Sequence, residues 1–282
     1  MLVKPIAVVH SPITTTKDMP SKGSPATVEV FPEYEDGLLG IEDNSHLVFV
    51  AWIHKANRRA LRLDRVGPEN LPLHKGVFSL RSPSRPNPLG ISTGKLLKVE
   101  GRKLFLDRLD FIDGTQIIDI KGYSLGWDAI FSSRSIWDTM PANQRDAQVM
   151  IEMLRAQAVN FHGCSCPSLL LGVKMVYDAA VRWEIGPRDP ALKFELGDDG
   201  CIADAVQGTT GATFGNGRLH LKGELSYTAV LEDKVLRYIP KDIGTLDGED
   251  LLNSDAAILF DITEATTPAG FGNQLRRCEC RG

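Results

Sequence analysis

Residues 76–92 read GVFSLRSPSRPNPLGIS. Pro83, Pro86 and Pro88 each fix φ and push the preceding residue out of the helical region, so the loop is ordered without regular secondary structure. Such a loop has little entropy to lose on binding. Arg81 and Arg85 add planar cationic forks suited to carboxylates or to stacking on a ring. Asn87 offers a donor and an acceptor together, and Gly90 permits close approach. Two readings are open: a rigid barrel corner whose arginines pair with surface acids such as those of LDRLD, or one wall of a binding pocket.

Around this loop run short β-like stretches, IAVVH, ATVEVF, HLVFVAWIH, GVFSL, GKLLKVEG, RKLFLDRLDFIDG and QIIDIKGY, separated by turn residues. Strands at this spacing predict a β-rich domain or barrel. KVEGRKLFLDRL predicts a hairpin turning at Gly101. The basic, Pro-bearing NRRALRLDRVGPENLPLHK has no period and reads as a surface excursion. In DFIDGTQIIDIKGY a tight turn at Asp113, Gly114 and Thr115 is followed by Asp119, Lys121 and Tyr123 at alternate positions, on one face of a strand. That face is either a solvent edge or part of a site.

At 282 residues with 43% hydrophobic and 24% charged residues, the chain is expected to form two soluble globular domains. Its net charge of −4 argues against binding nucleic acid by bulk attraction, leaving only a local basic patch for that role. No run approaches the roughly 18 apolar residues that span a bilayer. The opening MLVKPIAVVHSP is too quickly broken for a signal peptide. The expectation is a cytoplasmic protein with no membrane partner. Five cysteines, all beyond residue 160, point to thiols or a metal site rather than a disulfide framework.

Composition changes at WDTMPANQRDAQVMIEMLRAQAVNFHG, which places the domains at 1–142 and 143–282 and the fold class as α+β. Asn143 is expected to cap a helix carrying Val149, Met150, Met153, Leu154 and Ala158 at near-helical spacing. SLLLGVKMVYDAAVRWEIG predicts a second helix ending at Gly186. LHLKG, LSYTAVLE, VLRYIP and AAILFDI read as strands.

GVFSLRSPSRPNPLGIS, LLKVEG and LDFIDGTQIIDIKGY together resemble the TsaA/TrmO family of S-adenosylmethionine-dependent tRNA methyltransferases, also described as YaeB-like or VirR-like. The resemblance runs from PIAVVHSP to about Tyr123. It implies a small β-barrel methyltransferase that dimerises with S-adenosyl-L-methionine near the subunit interface. The absence of a glycine-rich dinucleotide fingerprint agrees with a non-Rossmann cofactor site. By this resemblance His54, Lys55, Arg81, Ile91, Asp113, Gly114, Thr115 and Gln116 line the cofactor site, with arginine near the methionyl carboxylate and Ile91 against the adenine. Proline is common in the family where Gln116 stands, and MPSKG, with Ser21 and Lys22, replaces a glutamine-containing triplet. Methyl transfer rests on positioning, and Asp113, Asp119 and Tyr123 are the candidates for a base. The acceptor usual in the family is the exocyclic amine of a threonylcarbamoyl-modified adenosine beside the tRNA anticodon.

In the second half, NFHGCSCPSLLLG presents His162, Cys164 and Cys166, and CIADAVQG adds Cys201. Three thiolates and an imidazole form a donor set that zinc accepts, although the spacing is not that of a zinc finger. The alternative is a hydrogen-bonded histidine at a helix end and a buried apolar Cys201. FHGCSCPSLLLGVKM, CIADAVQGTTGATFGNGRL and LFDITEATTP resemble the FmdE domain known from formylmethanofuran dehydrogenase, over roughly residues 145–282. Against the His-Gly-His-x-Cys-Pro pattern of that family, Cys164 replaces the second histidine and makes the set softer. Cys278 and Cys280 are what remains of its terminal zinc ribbon. Dehydrogenase activity does not follow from the resemblance. Three functions stay open: a tRNA methyltransferase with a metal-binding accessory domain, a methyltransferase acting on a small thiol, selenol or metal-bound acceptor, and a metal-sensing or metal-binding protein.

Overall fold

The computed structural model describes residues 2–266 apart from 21, 67–71, 134, 136, 137, 139 and 245, so Ser21, Cys278 and Cys280 lie outside the described residues. The chain divides into two compact units, Met1–Ile130 and Phe131–Gly282.

The first unit contains β1 (Ala7–His10), β2 (Ser24–Val30), β3 (His46–Trp52), β4 (Arg62–Val66), β5 (Pro72–Gly76), β6 (Leu89–Glu100), β7 (Lys103–Leu109) and β8 (Gln116–Gly122). Six of these close into a barrel in the order β1-β2-β7-β6-β3-β8, with every pair antiparallel. Alternation carries the closure. Ala26, Val28 and Val30 of β2 point inward with Leu47, Phe49 and Ala51 of β3, and they fill one core with Leu104, Leu106 and Ile117. The expected hairpin is present, with Glu100 opposite Lys103 across Gly101. At Gly94 a Cβ would sit 2.6 Å from the Arg108 backbone oxygen, so only glycine lets β6 lie this close to its neighbour.

Two local expectations in the first unit differ from the structure. GVFSL is not a strand: Gly76 ends β5, and Val77–Ser79 is a 3-10 turn with Val77 buried and Phe78 exposed. The basic excursion contains the β4–β5 hairpin, which pairs only with itself. Because it closes no barrel edge, it needs no alternating apolar face, and a periodicity test passes over it.

The second unit holds a sheet in the order β10-β9-β11-β12-β13, formed by β9 (Leu192–Leu196), β10 (Leu219–Leu221), β11 (Tyr227–Leu231), β12 (Lys234–Pro240) and β13 (Phe260–Thr266). β10 runs parallel to β9 and the other neighbours are antiparallel. After the short α1 (Leu125–Asp128) of the first unit come α2 (Ala147–His162), α3 (Pro167–Arg182), α4 (Gly200–Thr210), α5 (Gly248–Asn253) and α6 (Ala256–Leu259). Every residue of α3 from Leu169 to Val176 is buried, which marks it as the central helix. The cap of α2 is Asp146, whose side chain accepts from Val149 N at 3.0 Å, not Asn143, which lies in a 3-10 turn at Ala142–Gln144. The turn delays the helix by one step, and Asp satisfies the orphan amide as well as Asn. Ala142 N donates to Ile185 O at 2.9 Å and Arg188 N to Asp138 O at 3.2 Å, so Asp138 and Ala142, both on the N-terminal side of the expected boundary, go with the second unit. β9 and α4 escaped the sequence reading, since LKFEL and GCIADAVQGTT are short and carry few period-setting residues.

Candidate functional site

The proline loop is built from the inside. Arg85 Nε donates to Ser82 O at 2.9 Å, and its Nη2 donates to Val77 O at 2.9 Å and to Leu80 O. Pro88 is buried, and its carbonyl accepts from Ile53 N at 2.8 Å. The fork expected to meet a ligand at Arg85 is thus spent on the backbone of its own loop. Arg81 is different: it is exposed and makes no hydrogen bond or ion pair with a described residue.

Beside this loop opens a cavity of about 740 Å³. Its walls are Thr16, Lys17, Met19 and Pro20 before β2, Ile53–Ala56 after β3, Arg81–Arg85 of the loop, Leu89–Ile91 at the start of β6, Asp110–Ile112 after β7, and Thr115. Of the eight residues expected at a cofactor, His54, Lys55, Arg81, Ile91 and Thr115 line this one cavity. Ile91 and Leu89 present apolar surface there, 49% and 38% exposed. Thr115 is buried, and its hydroxyl donates to Ile112 O at 2.7 Å, which leaves oxygen lone pairs and a methyl group for the cavity.

Asp113, Gly114 and Gln116 stand just outside. Asp113 accepts from Ser11 N at 3.1 Å and donates its own amide to Ile13 O at 2.8 Å, while Gly114 N donates to Val9 O at 2.9 Å. This turn therefore clasps the segment that follows β1. Among the base candidates, Asp119 pairs with Lys121 at 2.7 Å and lines a separate cavity of about 540 Å³, and Tyr123 lies against His46 with ring centroids 6.2 Å apart. Lys121 is held above its usual range by its hydrogen bond to Asp119. Asp110 is the carboxylate that lines the larger cavity among the described residues, and sequence reading missed it. Thr16, Lys17, Met19 and Pro20 were also missed.

A second constellation lies in the other unit. His162 ends α2, Cys166 caps α3, and Cys201 sits in the first turn of α4. Their ligand atoms all lie within 4.8 Å of one another. Gly172 lets α3 and α4 come together, since a Cβ there would be 2.6 Å from Ala205 Cβ. His162 Nδ1 lies 2.8 Å from Asp204 Oδ2, and Nε2 lies 3.9 Å from Cys166 Sγ. The carboxylate favours the proton on Nδ1 and turns the Nε2 lone pair toward the thiols. Cys166 Sγ accepts from Leu169 N at 3.4 Å. Its hydrogen bond to Cys201, aided by burial and by negative charge at Cys166, Asp199 and Asp204, pushes the Cys201 thiol up to about 11. Cys164 is exposed and stands outside the group. Asp204 was not foreseen as a partner of His162; its position three residues after Cys201 on one helix was the available signal.

Residues 8–129 match the family model of the tRNA-methyltransferase O N-terminal domain. Over 134 residues the chain is 42% identical to an S-adenosyl-L-methionine-binding protein of Archaeoglobus fulgidus, covering 46% of this chain and 94% of that one. The chain belongs to the tRNA-methyltransferase O family. A second family relative from Archaeoglobus fulgidus, a probable S-adenosyl-L-methionine-binding protein, is 35% identical over 229 residues, 77% of this chain, of which the chain spans 60%. The tRNA (adenine(37)-N6)-methyltransferase of Mus musculus is 41% identical over 101 residues, 36% of this chain and 23% of its own length. Outside the tRNA-methyltransferase O region, residues 161–247 match the model described as FmdE, Molybdenum formylmethanofuran dehydrogenase operon.

Proposed function

We propose that the protein is an S-adenosyl-L-methionine-dependent methyltransferase whose acceptor is the N6 amine of a tRNA adenosine, the threonylcarbamoyl-modified one beside the anticodon. The observation that carries this is Arg81, unpaired among the described residues, opening into a cavity walled by Leu89 and Ile91. Its volume falls in the range of small-molecule sites, which are concave, mostly apolar and oriented by a few polar groups. When bound, S-adenosyl-L-methionine supplies a methyl group on a sulfonium sulfur. Arg81 holds a carboxylate through its fork, Ile91 and Leu89 cover an apolar ring, and His54 and Lys55 add donors at the same cavity. The chain's contribution is alignment and water exclusion, as expected where positioning dominates. Asp110 is the carboxylate placed to accept a proton there, ahead of Asp113, Asp119 and Tyr123. Asp113, Gly114 and Gln116 then shape the site from its outer turn.

His162, Cys166 and Cys201 suit zinc as a mixed imidazole and thiolate set, with Asp204 fixing the imidazole and one tetrahedral position left to water or to Cys164. Cellular placement in the cytoplasm and assembly as a homodimer belong to the same proposal.

The test pairs two arginines and one acceptor. Arg81→Ala should weaken cofactor binding in calorimetry by about ten- to a hundredfold, the worth of a charge-assisted hydrogen bond, without changing the melting temperature. Arg85→Ala should instead lower the melting temperature, because three carbonyl contacts are lost. Unchanged affinity in Arg81→Ala removes that residue from the site. Bulk tRNA should accept labelled methyl groups even after Cys166→Ser and Cys201→Ser. If tRNA stays unlabelled while a small thiol is methylated only with both cysteines present, the acceptor is the thiol.

A further inference from the structure

Residues 54–85 carry eight Lys and Arg against two Asp and Glu, a local charge of +6 in a chain of net charge −4. The fold concentrates part of this charge at the cavity. His54, Lys55 and Arg81 line it, and the chain between them leaves and returns through the β4–β5 hairpin. Arg62 pairs with Gly76, and Val77 N donates to Leu61 O at 3.1 Å. The residues entering the hairpin therefore lie beside the turn that leads to Arg81. Arg58, Arg59 and Arg62 are exposed and form no ion pair among the described residues. Arg58 lies over the Trp52 ring, 4.9 Å from its centroid. At the tip of the turn Phe78 is 80% exposed, and Leu61 next to it is 63% exposed. Neither belongs to the barrel core, yet the turn is fixed, since Arg85 holds the carbonyls of Val77 and Leu80 on either side of Phe78.

An anchored, solvent-facing aromatic ring on a turn whose backbone meets an arginine-bearing segment, with guanidinium groups that no described acid neutralises, costs apolar exposure and charge repulsion that the barrel itself does not require. It suits one partner chemistry: a polyanion with flat apolar faces. Unpaired RNA bases stack on such rings, and phosphates accept from arginine forks. We propose that this face clamps single-stranded RNA at the cavity mouth, with Arg58, Arg59 and Arg62 on phosphates and Phe78 stacked on a base next to the nucleotide entering the cavity. This rests on the tRNA reading above and adds the surface that recognises the acceptor.

The test uses the full chain and a fluorescent anticodon stem-loop, titrated by anisotropy between about 50 and 200 mM salt. Replacing all three arginines with glutamine should flatten the plot of log affinity against log salt by about two to three, the worth of as many phosphate contacts. Phe78→Ala should weaken binding about tenfold or more with an unchanged salt slope, and Phe78→Trp should restore it. Calorimetric affinity for S-adenosyl-L-methionine and the melting temperature should stay as in the parent protein in all of these variants. If the parent protein methylates tRNA and the variants match it in affinity and slope, the clamp is wrong while the enzyme reading stands. If the slope falls but Phe78→Ala binds normally, the stacking assignment is overturned. If the parent protein binds S-adenosyl-L-methionine yet neither binds nor methylates any tRNA, the RNA reading fails and the clamp fails with it.

Discussion

At Cys201 a single thiol reports how the second site is wired. Its pKa is raised from 9.0 to about 11, first by the hydrogen bond to Cys166 and then by burial and nearby negative charge. The sign follows from the acid form being favoured: the thiol persists between pH 9 and 11, where an isolated cysteine would already be ionised. In metal-free protein the alkylation rate of Cys201 should therefore keep rising about tenfold per pH unit through about pH 10, because only the thiolate attacks. A rate that levels off near about pH 9, followed by mass spectrometry of the Cys201 peptide, would remove the contact with Cys166. The residue scale also separates Arg81 from Arg85, which sequence presents as equivalents. One has no partner among the described residues and faces the cavity, the other is consumed by three carbonyls of its own loop.

Elements set the positions of these side chains through close approach. β6 passes so near β7 that a Cβ at Gly94 would meet a backbone oxygen, which cannot swing aside as a side-chain tip does. Gly94→Ala should cost about 1–3 kcal/mol as an overpacking change. Thermal denaturation should show it as a fall of several degrees; an unchanged midpoint would mean that the two strands part without strain. The barrel strands were legible because inward Ala and Val alternate with Thr and Glu along β2, and because β3 is a β-branched and aromatic run bounded by polar residues. The β4–β5 hairpin and α4 were not, because neither carries a long periodic pattern. The hairpin carries Arg62, and α4 delivers Cys201 and Asp204.

On the scale of the whole molecule there are two separate cores with no residue in common. Each covers its own unit, so residues 1–130 expressed alone should fold and unfold in one cooperative transition followed by circular dichroism. A broad, non-cooperative melt would show that the barrel depends on the rest of the chain. The order of residues was enough for whatever repeats or rigidifies locally: the strand alternation, the Gly101 hairpin, the proline loop and the gathering of histidine and cysteine after residue 160. Whether those residues meet was settled only in three dimensions. Barrel closure brought Arg81, Ile91 and Thr115 to one cavity, while the Asp113 turn was drawn to the segment after β1. Helix packing at Gly172 joined Cys201 to His162 and Cys166 and left Cys164 in solvent. Local pattern fixes where a chain is extended, helical or stiff. Side-chain partners far apart along the chain are fixed by which faces must be buried against each other.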